Sequence, residues 1–175
     1  RLGSIGPNGG YTYFNPMGTG YYRLYSPEKP KENPFWCCVG TGMEDFASFA
    51  DKISFLDKKT VLITQWISSD LVLGDTRYEF RVNFEEGRVS LKTDANTEIL
   101  TIKLRIPKWI KNRDSILPDN EDYLEISLKR NAEFRLDFEM EINLLSLTDE
   151  KSVKGFSYGP FVLCVLLGDE KWGIT

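Results

Sequence analysis

The residue types best suited to chemistry are two adjacent cysteines, Cys37 and Cys38, in the run Phe35-Trp36-Cys37-Cys38-Val39-Gly40-Thr41-Gly42-Met43-Glu44. Neighbouring Cα atoms lie about 3.8 Å apart, whereas disulfides prefer a separation of about 5.5 Å. The pair is therefore strained as a disulfide and better suited to gripping a metal or offering a reactive thiolate. Beyond it, Phe46, Phe49 and Ala50 fall at i, i+3 and i+4, which predicts a short helix over 43–51 with Glu44 and Asp45 in its first turn. A helix starting at about Met43 would aim main-chain N–H groups at the sulfurs and favour the thiolate. The same acids complement the helix dipole there, which explains them without a catalytic role. Two other readings of the cysteines stay open: small apolar filler in a core, and redox sensing.

Composition narrows the mechanisms available. The 175 residues include no histidine. A Ser-His-Asp triad, a Cys-His pair, a two-His-one-carboxylate iron site and a His-based zinc site cannot be built from this chain. Catalysis would have to use thiolates, carboxylates, tyrosines, lysines or groups supplied from elsewhere. A net charge of -4, with basic residues scattered, argues against a nucleic-acid partner. No apolar run approaches about 18 residues, so no membrane-spanning helix is expected. Three cysteines and no Asn-x-Ser/Thr sequon point weakly to a reducing, cytoplasmic setting, with secretion of a longer parent left open.

The elements that must position the cysteines divide unevenly. Residues 1–34 are rich in Gly, Pro, Asn and Tyr without helical periodicity. Short extended stretches are expected at 11–14 and 21–25. Alternation in the second would put Tyr21, Arg23 and Tyr25 on one face, a combination suited to stacking on a sugar and bonding its hydroxyls, or simply to packing. From Lys52 onward the pattern turns to period two. Strands are expected at 53–55, 61–67, 71–73, 78–84, 88–93, 98–106, 123–128, 133–138, 141–145 and 161–167, separated by turn signals such as Glu86-Gly87 and Gly159-Pro160. This spacing predicts a mainly β protein, a β-sandwich or jelly roll. Cys164, in the last apolar run, is expected as core filler. The boundary falls between 1–51 and 52–175. An irregular front segment of this length normally needs something to lie against. With Arg1 in first position, the chain is expected to be the tail end of a longer polypeptide.

Three segments together resemble a known family: Tyr13-Phe14-Asn15-Pro16-Met17, Gly20-Tyr21-Tyr22-Arg23 and the cysteine run 35–44. They are similar to glycoside hydrolase family 127 and its relative family 146, the β-L-arabinofuranosidases. Lys52-Ile53-Ser54-Phe55, Leu104-Arg105-Ile106-Pro107-Lys108-Trp109 and Tyr158-Gly159-Pro160-Phe161-Val162-Leu163 agree with it. The resemblance implies an α/α barrel that carries the active site, joined to β-sandwich domains. It implies zinc, with Cys37 as zinc-bound nucleophile and Cys38 as a zinc ligand. The family's remaining ligands (a glutamate and a third cysteine) and its acid/base glutamate lie ahead of the point where this sequence begins. Trp36, Tyr21 and Arg23 are the candidates for touching substrate. The expected partner is an arabinofuranoside-containing glycan, with a further barrel domain or a second copy completing the site. The chain alone is expected to be inactive. The alternative is a non-catalytic β-sandwich that binds carbohydrate or braces a barrel.

Overall fold

The computed structural model describes residues 5, 9–12, 26, 37–73, 76–94, 100–118 and 121–164. The chain separates into two compact units, one of Arg1–Phe49, Leu145–Phe156 and Val162–Thr175, the other of Ala50–Leu144 and Ser157–Phe161. The fold is mainly β, as the alternating pattern predicts, with a 17-residue helix α1 (Cys37–Ile53) ahead of the strands.

Eight strands build the second unit: β1 (Ser54–Asp57), β2 (Thr60–Ile63), β3 (Ser69–Leu73), β4 (Thr76–Asn83), β5 (Arg88–Thr93), β6 (Leu100–Arg105), β7 (Tyr123–Leu128) and β8 (Glu133–Asp137). A short helix α2 (Arg113–Ile116), not expected from the sequence, lies between β6 and β7. One sheet runs β1-β2-β6-β7 and another β3-β4-β5-β8, with β2 and β6 parallel and the other pairs antiparallel. Period-two alternation decides which side chains meet. Val61 stands opposite Ile102 and Ile63 opposite Leu104, while Ile102 also faces Ile126. In the other sheet Phe80 pairs with Leu91 and Val89 with Leu136. These inward residues form one apolar cluster, and Lys103 and Arg105 point to water. The sandwich is therefore closed on its own core.

The loops around the core are fixed by hydrogen bonds and rings. Asn83 Oδ1 accepts from the N–H groups of Glu85 and Glu86 (both 3.0 Å), turning the chain after β4. Gly87 ends that turn at φ +63°, and an added Cβ would strike the Phe138 carbonyl. That carbonyl's residue donates its own N–H to Gly87 O at 2.7 Å. Trp66 Nε1 donates to the Arg105 carbonyl (2.6 Å), and Trp66, Trp109, Phe138 and Phe84 meet edge-on or tilted.

A third sheet of order β11-β10-β9 comprises β9 (Ile142–Ser146), β10 (Lys154–Tyr158) and β11 (Phe161–Leu163). The strand β10 escapes sequence reading because its pattern is inverted. Phe156 and Tyr158 are exposed while Gly155 and Ser157 are half-buried, so no apolar face marks it. The final strand ends at Leu163, short of the expected 161–167; residues 165–167 lie outside those described. Cys164 follows it and is exposed, which corrects its reading as core filler. Val162 and Leu163 beside it are exposed too.

Two expectations follow from this packing. Phe80 is fully buried between the sheets, so Phe80→Ala will lower the unfolding free energy by about 3–5 kcal/mol, read from urea denaturation. Asp70 accepts from Arg81 (2.6 Å) and Arg77 (2.5 Å) across the β3–β4 pair. The Arg81 hydrogen bond first, and then that of Arg77, hold its carboxyl below the ordinary carboxylate value. A lowered folded-state value means that the unfolded chain takes up the proton first as the solution acidifies. The contribution is then present above about pH 4 and fades as pH falls through the folded value. Asp70→Asn will therefore shift the urea midpoint slightly at neutral pH, less in high salt, and not at all in strong acid.

Candidate functional site

The helix carrying the cysteines begins earlier than its apolar periodicity suggests. It starts at Cys37 instead of Met43, so Gly40 and Gly42 lie inside it. Glycine costs about 1 kcal/mol relative to alanine in a helix interior, which is why the sequence pattern favours a start beyond both. Tertiary packing overrides that preference at Gly42. The residue is buried, and an added Cβ would overlap the ring of Tyr11. Tyr11 is itself buried and tied to Ser26: its N–H donates to Ser26 Oγ (2.9 Å), and its carbonyl accepts from the Ser26 N–H (2.7 Å). A bridge to Ile5 lies on its other side.

The earlier start changes the surroundings of each candidate. Cys37 is the first helical residue, exposed and outside any disulfide, with its carbonyl accepting from Thr41 Oγ1 at 3.2 Å. The first turn contains no acidic residue. Glu44 and Asp45 sit about two turns in, so the helix-dipole explanation for them falls. Glu44 lies seven residues of helix beyond Cys37, about 10 Å along the axis. The main chain of Cys38 lies in α1; its side chain is outside the described residues, as are Trp36, Tyr21 and Arg23. The structure thus places one proposed site residue, Cys37, on an open helix start.

Zinc needs more than this segment offers. Among the described residues no three His, Cys, Asp or Glu side chains converge to hold a metal. The described residues do not fit zinc by themselves, and two cysteines from this chain would leave a four-coordinate site half filled. What sequence reading missed is the Tyr11–Gly42 contact. Its only signal was a pair of glycines inside a stretch otherwise able to be helical.

With this geometry in view, the comparisons with known proteins become informative. Residues 2–51 match the family model described as beta-L-arabinofuranosidase, GH127 catalytic domain. The fold is similar to the crystal structure of a GH127 β-L-arabinofuranosidase from Geobacillus stearothermophilus T6, with a TM-score of 0.64 at 17% identity. It is also similar to a second GH127 β-arabinofuranosidase (TM-score 0.65, 19% identity) and to a structure described as a glycoside hydrolase (0.67, 16%). Each likeness covers 92% of this chain, and the chain spans only 30–31% of the length of those proteins. No curated protein matches the sequence. The resemblance read from the cysteine run and its neighbours is borne out, in sequence over the first 51 residues and in fold over most of the chain.

The exposure of the two described cysteines has a direct check. Iodoacetamide under native conditions will alkylate both Cys37 and Cys164, as seen by peptide mass, without prior unfolding; protection of either would contradict its placement.

Proposed function

We propose that this chain, of GH127 type by its cysteine run and its fold, supplies the nucleophile and the bracing sandwich of an enzyme that hydrolyses terminal β-L-arabinofuranosides with retention. The observation that carries the reading is the exposed thiol of Cys37 at the first residue of α1, inside the segment that matches the family's catalytic domain. Helices leave their first N–H groups without intrahelical acceptors, and the macrodipole favours negative charge there. A thiolate is the form of cysteine that attacks carbon.

The chemistry balances as a double displacement. The Cys37 thiolate forms a C–S bond at the anomeric carbon as the glycosidic C–O bond breaks. The departing oxygen takes a proton from a carboxylic acid on residues outside this chain. Water, giving a proton back to that group, then displaces the sulfur and restores the thiolate. Zinc bound to Cys37 and Cys38, with its other ligands from outside these 175 residues, would keep the sulfur ionised. Trp36, Tyr21 and Arg23 are proposed to meet the sugar by stacking and by hydrogen bonds to its hydroxyls.

The second reading, a sandwich that binds carbohydrate or braces a barrel without doing chemistry, is favoured by one observation: the second unit closes on its own core. The readings separate on activity. The nucleophile reading predicts no turnover of 4-nitrophenyl β-L-arabinofuranoside by the 175-residue chain. In the longer polypeptide that it requires, turnover is expected to fall by about a thousandfold or more on Cys37→Ser, and zinc by metal analysis is expected in that protein. Turnover that survives Cys37→Ser would overturn the nucleophile reading and leave the bracing one.

A further inference from the structure

Gly42 is a glycine with a visible reason. Its missing side chain makes room for Cε1, Cζ and Cδ1 of Tyr11, so the ring rests on the bare main chain of α1. The ring has little freedom to leave. Tyr11 is 9% exposed, its two main-chain groups are both bonded to Ser26, and Thr12 beside it is buried. Position 42 lies four residues beyond 38 and five beyond 37, about one helical turn from the cysteine pair. The contact therefore acts on the turn that adjoins Cys37, while Cys37 itself stays open to solvent.

We propose that Tyr11 is a positioning residue for the Cys37 thiol: seated on Gly42, it sets how the first turns of α1 are held and so how the sulfur is presented. This rests on the nucleophile reading above and adds to it the device that aims the nucleophile. Any side chain at 42 must lift the helix from the ring or push aside a ring whose main chain is bonded to Ser26. Displacements of about 1 Å are enough to spoil an attack geometry. The glycine's propensity cost of about 1 kcal/mol is offset by this packing.

The test reads the thiol in the 175-residue chain with chelator present and no sugar, so its outcome is separate from that of the hydrolysis experiment. In a Cys38→Ser background, iodoacetamide alkylation of Cys37 and Cys164 is followed by peptide mass, with Cys164 as internal control. Gly42→Ala is expected to change the Cys37 rate by about threefold or more, leaving Cys164 unchanged. Tyr11→Phe keeps the ring and should react as the wild type does. In the Tyr11→Leu background, adding Gly42→Ala should change nothing further, because the ring it would strike is gone. If Gly42→Ala fails to fold, Tyr11→Leu, which adds no atom to the interior, is expected to change the Cys37 rate by itself. An unchanged Cys37 rate in Gly42→Ala, or in Tyr11→Leu where Gly42→Ala does not fold, would overturn the proposal, as would parallel changes at Cys37 and Cys164, which indicate general loosening.

Discussion

The start of α1 at Cys37 is the constraint from which the site follows. A helix beginning there makes the thiol its first residue, open to solvent, and places Gly42 one turn further in. Intrinsic propensity opposes such a start, since the first six residues include Gly40 and Gly42. Burial of Gly42 against Tyr11 is what the structure sets against that cost. A helix start at Met43 would leave both Cys37 and Gly42 ahead of the helix, and the Tyr11 ring without its seat on it.

The sandwich closes on its own apolar core. Its two four-stranded sheets bury opposed pairs such as Val61–Ile102 and Phe80–Leu91, and its surface is held by exposed ion pairs such as Arg88–Asp137 at 2.8 Å. Exposed pairs of this kind contribute little individually, so the core carries the stability.

Much of the fold was legible because period-two alternation survives wherever one face of a strand is buried. Arg88–Thr93 and Tyr123–Leu128 were readable to the residue, and the strands between Thr76 and Arg105 to within a few positions. The failures have physical causes. The strand β10 turns its aromatic residues outward, so its pattern carries no core signal. Helix α1 owes its first turns to a contact with a residue far earlier in the chain, which no local window contains. Cys164 looked buried because its neighbours are apolar, yet those neighbours are exposed as well. At the site, the cysteine run was legible from residue type and spacing. The contact that holds its helix was not, because it depends on what a glycine lacks.

The most direct measurement is covalent trapping. A polypeptide that joins this chain to the barrel the nucleophile reading requires, treated with a mechanism-based inhibitor shaped as a β-L-arabinofuranoside, should gain one sugar-sized adduct, and peptide mapping should place it on the Cys37 sulfur. An adduct on any other residue would contradict the account, as would hydrolysis that continues while Cys37 remains unlabelled.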